Sequence, residues 1–449
     1  MSAKRRYGFA QLVPYGALGL PLAALGLPLT VFLPPFYAAM PGLNTAIVGI
    51  MIFLARLFDV LTDPLIGTAS DRTSWRLGRR RPYILLGTPI LMVAAWFLFV
   101  PGASASAVYL LVWSIAAYLG WTLIYLPYTT LGAEMSADYD ERSRITAWRE
   151  GFFVAGTLVA ILLPAGLSRM ADSEAAGLEA IAWFLVVALP VTVAWFVWAV
   201  PEPEGAASRI RWADSARLLA ENRPFRRLLL AYLLNGAANG LPAALFLFFV
   251  QAILGADQAT AGVFLVVYFL SAVAGLPVWL WIGRSWSKHR LWCASMAVVA
   301  GVFIFTVTLS DSLYGFIGYT LICVLGGSCL GVDQATAASI QADVIDEDTA
   351  AGGDGRAGLY FGLWGMATKL AFTLAIGIAY PLLWLAGFDA GTDNDGLARW
   401  TLVALYGLLP VLIKVGVIAM MWRFPLDRDR HARLQAEIGR ARGQTQNAG

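Results

Sequence analysis

Arg56, Asp59 and Asp63 are three charged residues within the otherwise apolar stretch RLFDVLTDPLIG. Their spacing places all three on one face of a helix. An ionised side chain that faces lipid costs several kcal/mol, so this face must look into protein or a water-filled cavity. The two neighbouring carboxylates are therefore candidate ligands for a positively charged partner.

The residues around the two acids add further oxygen atoms. Pro64 cannot donate a backbone hydrogen bond, so a carbonyl one turn earlier loses its helical partner, and the Thr62 hydroxyl is close by. Hard oxygen ligands suit a small hard cation, and a repelling carboxylate pair can also hold a proton. We therefore predict a cation or proton site at Asp59 and Asp63. The alternative is a structural ion pair between Arg56 and Asp59, which would leave Asp63 without a counter-charge.

Lys369 brings a charge into a second apolar stretch, LWGMATKLAFTLA. An ammonium group in that position needs a carboxylate partner or a cavity. We expect Lys369 to approach Asp59 and Asp63 from another part of the fold and to compete there with a cation for the same negative charge. In the alternative, the side chain extends to the membrane interface.

Other charged side chains interrupt apolar stretches elsewhere in the chain. Arg149 and Glu150, within ITAWREGFFVAG, open the predicted fifth span, where they could form a helix-end ion pair or a gate on the cytoplasmic side of a cavity. Asp333 could complete a polar patch with Gln334. Lys414 is expected to be peripheral.

Two further groups of residues complete the candidate site. Charged side chains expected at a cytoplasmic gate are Arg72, Arg79, Glu134 and Glu150. Tryptophans that could line a cavity and stack on a solute, or simply pack in the core, are Trp121, Trp148 and Trp364.

The composition indicates which elements carry these residues. Of 449 residues, 59% are hydrophobic and only 14% are charged, whereas soluble domains carry about 25% charged residues. Runs of about 20 apolar residues recur, and each can cross a bilayer. The sequence predicts an all-α membrane protein with twelve transmembrane helices. The spans are expected at 12–36, 43–70, 83–101, 107–133, 146–168, 178–200, 227–253, 260–283, 291–310, 313–342, 357–387 and 399–423.

Basic residues mark one side of the membrane. They precede the first span, follow the second and eighth spans, and fill the loop after the sixth, whereas the alternate loops hold only Arg169 and Arg399. This asymmetry predicts that both termini and the central loop are cytoplasmic. The predicted divisions are an N-terminal six-helix half (1–200), a cytoplasmic central loop (201–226), a C-terminal six-helix half (227–423) and a cytoplasmic tail (424–449).

The two halves also share a short pattern. PLIGTASDRTSWRLGRRRP follows the second span and PVWLWIGRSWSKHRL follows the eighth, each with Gly, Trp and basic residues in the same order. Two related six-helix halves are the architecture of the major facilitator superfamily, in which solutes bind between the halves near mid-membrane. We find no nucleophile–base set or metal cluster that predicts an enzyme, and we expect no nucleic-acid partner.

Several segments together resemble one family of transporters. RLFDVLTDPLIG, LGRRRPYILLGTP, YLPYTTLGAEM, ITAWREGFFVAGT, ADVIDEDTA and TKLAFTLAIGIAY are similar to the glycoside–pentoside–hexuronide:cation symporters, which include melibiose permease. They are about equally similar to the sodium-dependent lysolipid transporters of the same superfamily. The resemblance covers nearly the whole chain.

The resemblance implies roles for individual residues. Asp59 and Asp63 match the acids of the family's cation site, and Thr122 matches a threonine that helps to hold the cation. Arg149 matches an arginine that lines the sugar pocket, and Lys369 matches a lysine near the cation site. Arg56, on the same face as the acids, is expected to take part with Lys369 in coupling.

The sequence departs from melibiose permease in the acids that hold sugar hydroxyls. The position on the first helix falls in an apolar run near Ala23, and the position on the fourth helix is Tyr125. Tyr125 is therefore expected to contact solute together with Trp121, Trp364 and Arg149. An apolar first helix would suit a glycoside with an apolar aglycone, or an acyl chain.

The expected function is secondary active symport by alternating access. Na⁺ or H⁺ would drive the uptake of a small organic solute, of the carbohydrate or glycoside class by resemblance. The alternative is Na⁺-dependent transport of a lysophospholipid or another amphiphile. We expect a monomer in the plasma membrane (the inner membrane in bacteria), with the coupling ion but no other cofactor.

Overall fold

A computed structural model describes residues 6–425, except 74, 103–104, 137–138, 172, 203–221, 351–356, 391–393 and 395. Twelve helices in the described part are long and apolar enough to cross a membrane, which confirms the predicted number of spans. They are α1 (Phe9–Ala38), α2 (Thr45–Arg72), α3 (Arg81–Phe99), α4 (Ala107–Glu134), α5 (Tyr139–Ala171), α6 (Glu174–Ala199), α7 (Arg223–Leu254), α8 (Gln258–Ile282), α9 (Lys288–Thr308), α10 (Leu313–Ala350), α11 (Ala357–Leu385) and α12 (Gly396–Met421).

Helix boundaries differ from the predicted spans mainly at polar ends. The helices α5 and α10 continue beyond their apolar cores into charged sequence, because a helix does not have to end where the hydrocarbon does. The predicted central loop begins and ends in described residues, but α7 already starts at Arg223, where the Asn222 side chain accepts a hydrogen bond from the Phe225 backbone. The rest of that loop and nearly all of the predicted tail lie outside the described residues.

Among the described helices, three depart from α-helical hydrogen bonding. Wider π-helical turns occupy Pro28–Phe32 in α1 and Ala404–Leu408 in α12, and the end of α9 tightens to a 3₁₀ helix at Ile304–Thr308. Prolines follow both π segments, at Pro34 and at Pro410. Since proline has no backbone N–H to donate, a carbonyl in each preceding turn is left to find another partner.

The two halves meet along a seam between α2 and α11. A Cβ atom on Gly49 would collide with Tyr380, and one on Gly377 would collide with the ring of Phe53. Two glycines thus allow aromatic side chains of the opposite half to lie against the helix backbone. The Tyr380 hydroxyl donates to the carbonyl of Ala244, so it is bonded within its own half, at 2.9 Å.

Candidate cation and solute site

Lys369 lies between the two acids of α2. Its Nζ atom is 2.7 Å from Oδ2 of Asp59 and 2.6 Å from Oδ2 of Asp63. The hydroxyl of Thr122 on α4 lies 2.7 Å from Oδ1 of Asp59 and 3.0 Å from Oδ1 of Asp63. The approach of Lys369 to the acids, predicted from charge alone, is therefore present in the structure. We call these four residues the interhalf cluster, because Lys369 comes from the C-terminal half and the others from the N-terminal half.

The interhalf cluster has more negative than positive charge and more hydrogen-bond acceptors than donors. Two carboxylates against one ammonium leave one negative charge, and the Asp59 side chain is only 7% exposed. The Thr122 hydroxyl has one proton, so it cannot fully satisfy both carboxylates at once. The cluster offers closely spaced oxygen atoms with unused lone pairs, the ligand set that small hard cations prefer.

Two neighbours of the acids have other partners. The Thr62 hydroxyl donates to the backbone carbonyl of Asp59 at 3.1 Å and, within the described chain, bonds neither carboxylate. Arg56 donates to the hydroxyl of Thr30 at 2.9 Å and has its guanidinium 5.2 Å from the ring centre of Tyr118. The described side chains include no ion pair between Arg56 and Asp59, so the alternative explanation of the α2 charges is not the arrangement found here.

A line of aromatic rings connects the interhalf cluster to Arg149. The Lys369 ammonium lies 5.5 Å from the ring centre of Trp121, and Trp121 stacks on Tyr125 at 4.2 Å. The Arg149 guanidinium is close enough to Tyr125 and Tyr15 to interact with them electrostatically. Trp121 and Tyr125 thus form a stacked pair beside Lys369, with Arg149 near Tyr125.

The other two tryptophans predicted to line a cavity, Trp148 and Trp364, lie away from Trp121 and Tyr125. Trp364 stacks on Tyr232 of α7 at 3.7 Å, within the C-terminal half. Trp148 packs edge-to-face on Phe9 at 5.6 Å. Neither ring contacts the stacked pair formed by Trp121 and Tyr125 among the ring contacts of the described residues. Their role as solute ligands stays a prediction.

The predicted cytoplasmic gate residues are only partly brought together. Glu134 bonds Arg79 at 3.1 Å and Arg80 at 2.9 Å, and Arg80 also donates to Ser70 at 2.6 Å. Sequence reasoning did not single out Arg80, which is 2% exposed, or Glu202, which accepts the backbone N–H groups of both arginines at 2.6 Å. The sequence does place Glu202 directly after the predicted sixth span, and this position was a signal for a cytoplasmic partner of the arginines.

Of the other two gate candidates, Glu150 does not join that network among the described side chains. Glu150 pairs with its neighbour Arg149 at 2.7 Å, as the ion-pair alternative expects, but the pair lies well inside α5, which begins at Tyr139, and not at a helix end. Arg72 is the last residue of α2, and its side chain lies outside the described residues. The C-terminal half has a matching ion pair of its own at the start of α9, between Lys288 and Asp343 at 2.6 Å.

Lys414 is buried at 2% exposure, so the expectation of a peripheral lysine is wrong. Its ammonium donates to the side-chain oxygens of Asn235 and Asn239, at 2.7 Å each. Both asparagines donate in turn to Asp333, which also accepts the Trp292 indole N–H. We call these five residues the C-half network.

The partner predicted for Asp333 is also wrong. Gln334 is exposed, because it follows Asp333 by one position and points to another face of α10. The missed partners had a sequence signal: Asn235 and Asn239 are four residues apart in an apolar span and therefore share one helix face.

Comparisons with known proteins agree with this architecture. A family model described as MFS/sugar transport protein matches residues 14–428. A sodium-dependent lysophosphatidylcholine symporter 1-A of Danio rerio is 25% identical, over 86% of this chain and 80% of that protein. An uncharacterized symporter of Synechocystis sp. is 21% identical, over 88% of this chain and 90% of its own length. A crystal structure of a mutant nucleoside transporter NupG is similar in fold, with a TM-score of 0.70 at 12% identity, covering 91% of this chain and 98% of that one.

Proposed function

Because the chain belongs to the MFS/sugar transport protein family, we propose that it is a symporter in which a cation at Asp59 and Asp63 drives uptake of an organic solute. The observation that carries this proposal is the position of the Lys369 ammonium, within 2.7 Å of both acids and supplied by the opposite half. The two acids therefore already bind one positive charge, the Lys369 ammonium, at the place where we propose that the cation binds.

The proposed coupling step is an exchange of positive charges. An arriving cation competes with Lys369 for Asp59 and Asp63 and releases the ammonium from them. Since the contact of Lys369 with the acids joins α11 to α2, its release removes a link between the halves. The halves can then rock around the bound solute, as alternating access requires.

Buried charge explains why cation and solute would move together. Without the cation the two acids keep one uncompensated negative charge and Lys369 still joins α11 to α2, so a carrier that holds the solute alone crosses poorly. A membrane potential of 100 mV supplies about 2.3 kcal/mol per charge. At about 1.4 kcal/mol for each tenfold step, one coupled cation supports roughly fiftyfold accumulation.

Sodium is the coupling ion that we favour. Carboxylate and hydroxyl oxygens from Asp59, Asp63 and Thr122 suit a small hard cation, and similar proteins are named as sodium-dependent symporters. A proton is the alternative, because a close carboxylate pair can hold one. The two ions are distinguished by replacing a sodium gradient with a pH gradient of equal size.

We infer that the solute has a polar head and an apolar part. The surface formed by Trp121, Tyr125 and Arg149 can stack on a ring and donate to a phosphate or hydroxyl oxygen. The run GALGLPLAALGLPL in α1 offers no charged residue to bind sugar hydroxyls. A glycoside with an apolar aglycone and a lysophospholipid both fit, and the similarity to lysophosphatidylcholine symporters supports the second.

We propose that the protein lies in the plasma membrane, which is the inner membrane in a bacterium, with both termini in the cytoplasm. The clustered basic loops support this orientation. A monomer is sufficient, because the proposed cation and solute residues all belong to one chain.

Proteoliposomes provide the test. The purified protein should accumulate labelled octyl glucoside or lysophosphatidylcholine only when an inward sodium gradient is imposed. Asp59→Asn and Asp63→Asn should abolish accumulation while preserving solute binding, because the proposed solute residues Trp121, Tyr125 and Arg149 are distinct from the two acids. Wild-type accumulation in both variants would refute the assigned cation role.

A further inference from the structure

A second layer of side chains covers the interhalf cluster on one side. Each of the three helices that form the cluster supplies one residue to it, three or four positions farther from the basic loops: Arg56 on α2, Tyr118 on α4 and Phe372 on α11. This spacing corresponds to about 4.5–6 Å along a helix, or roughly one turn. We call these three residues the outer layer, and the side of the molecule opposite the basic loops the outer side.

The Arg56 guanidinium is the centre of the outer layer. It lies 5.2 Å from the ring centre of Tyr118 and 5.9 Å from that of Phe372, so aromatic faces from both halves hold it. It also donates to the hydroxyl of Thr30, at 2.9 Å, and that hydroxyl donates its own proton to the carbonyl of Gly26. Thr30 lies in the π segment of α1. Side chains from α1, α4 and α11 thus fix the position of this charge.

The charge of Arg56 is not neutralised by an ion pair in the described part of the chain. Its Nε atom is buried and has no hydrogen-bond partner there. The nearby acids, Asp59 and Asp63, are bound to Lys369 instead. A guanidinium does not lose its proton in proteins. It is therefore a fixed positive charge about one turn from the acids, and it repels any cation that binds to them, strongly where water is scarce.

The two sides of the interhalf cluster differ in their access to water. Outward of the outer layer lies the glycine seam, where α2 and α11 pack closely. Tyr118 in the outer layer is 8% exposed. Toward the basic loops, the side chain of Asp63 is 17% exposed, compared with 7% for Asp59 one turn farther out. A cation that Arg56 repels therefore leaves toward the basic loops.

Phe372 makes the environment of Arg56 depend on the positions of the two halves. It belongs to the C-terminal half and lies three residues from Lys369 on α11. When α11 moves away from α2 on the outer side, Phe372 moves with it and water can reach the guanidinium. Water weakens the repulsion between two positive charges, because the interaction falls as the dielectric constant rises. The acids then bind a cation more tightly than they do in the closed arrangement.

We propose that Arg56 is a positioning residue that sets the cation affinity according to conformation. While the outer side is closed, as in this structure, its charge weakens cation binding and directs release toward the basic loops. A transport site needs such weakening, because an ion that is bound too tightly cannot leave. The proposal rests on the proposed function in taking Asp59 and Asp63 as the cation site.

Sodium titration tests the role of the charge. The measurement is the sodium chloride concentration that half-maximally stabilises the purified protein against heat, with potassium chloride holding the ionic strength constant. Arg56→Gln removes the charge but keeps a hydrogen-bond donor, and this concentration should fall at least fivefold. Arg56→Lys keeps a positive charge and should stay within twofold of the wild type. An unchanged or higher concentration for Arg56→Gln would overturn the proposal.

A further variant separates the charge of Arg56 from its hydrogen bond. Thr30→Val removes the acceptor but leaves the guanidinium, so the half-stabilising sodium concentration should stay within twofold of the wild type. If Arg56 only holds α1 against α2, both Thr30→Val and Arg56→Gln lower the melting temperature without sodium and neither tightens sodium binding. Arg56→Met provides the same measurement if the glutamine variant does not fold.

A cross-link tests the dependence on conformation. The Ser168 hydroxyl of α5 lies 3.5 Å from the side-chain oxygen of Gln258 on α8, so these outer helix ends meet across the two halves. Ser168→Cys with Gln258→Cys, joined by a short thiol cross-linker, should hold the outer side closed. Cross-linking should raise the half-stabilising sodium concentration at least threefold when Arg56 is present, and by less than 1.5-fold in Arg56→Gln. Equal changes in both would contradict the proposal.

Asp63→Asn in the same titration distinguishes this proposal from the proposed function. If sodium stabilises the wild type but not Asp63→Asn, and Arg56→Gln binds sodium as the wild type does, the cation site stands and the role of Arg56 is refuted. If sodium stabilises Asp63→Asn as well as the wild type, the cation site itself is refuted and the role of Arg56 falls with it.

Discussion

Two buried polar clusters, the interhalf cluster and the C-half network, use the same types of group in opposite ways. In the interhalf cluster two acids face one lysine, and the lysine belongs to the other half of the molecule. In the C-half network one acid and one lysine are joined through Asn235 and Asn239, and all of its members belong to one half. The first is short of one positive charge, whereas the second is neutral.

This difference is the reason that we propose a coupling role for the interhalf cluster and a structural role for the C-half network. A cluster that spans both halves must break or reform when the halves move, and its missing charge can be supplied by a ligand. A neutral network within one half can move as a rigid unit, and nothing is gained by opening it. Four predictions test this comparison.

The largest effect is expected in the C-half network. Lys414→Met leaves the buried Asp333 without a counter-charge, and an uncompensated buried charge typically costs about 3–5 kcal/mol. We expect a large loss of thermal stability, measured by fluorescence-detected unfolding in detergent. Adding Asp333→Asn to the same chain should recover most of the loss, and an equally unstable double variant would contradict the pairing.

The next effect is on transport. Asp63→Asn should reduce sodium-driven accumulation at least 100-fold, or about 2.7 kcal/mol, while the melting temperature changes little, because Lys369 keeps Asp59 as its partner. The neutral double variant Asp333→Asn with Lys414→Met is the control and should keep its sodium dependence. Loss of sodium dependence in the control would mean that the C-half network also takes part in coupling.

A smaller effect is expected from the competing ammonium. Lys369→Met removes the resident positive charge, so sodium should bind about tenfold more tightly, a change of about 1.4 kcal/mol. The measurement is the sodium concentration that half-maximally stabilises the purified protein. Solute uptake should nevertheless fall, because the link between release of Lys369 and motion of the halves is gone. Unchanged sodium affinity would argue against competition.

The smallest effect is expected at the cytoplasmic ion pairs. Glu134→Gln weakens contacts to Arg79 and the buried Arg80, and we expect uptake to slow by about two- to fivefold, or about 1 kcal/mol at most. Asp343→Asn should have less effect, because its partner Lys288 is 43% exposed and its charge is screened by water. Initial uptake rates measure both, and the reverse order would contradict the burial argument.

The sequence predicted the interhalf cluster better than the C-half network for a physical reason. Asp59 and Asp63 share a helix face, and two acids in an apolar span demand a positive partner, for which Lys369 was available. Lys414 was misplaced because its partners include two neutral asparagines, which a search for opposite charges does not find. The direction of the Thr62 hydroxyl depends on a local choice between two nearby oxygens, which spacing alone does not determine.

The seam of Gly49, Phe53, Gly377 and Tyr380 contains no polar group that depends on the opposite half. Its two sides can therefore part without leaving a donor or acceptor stranded in hydrocarbon. The glycines allow close packing that involves no charged group. If the two helices moved apart, lipid tails could pack against both apolar faces about as well as the aromatic rings do. At these four residues, α2 and α11 are held together by complementary shape and van der Waals contact, in contrast to the ion pairs of Lys369 on the same two helices.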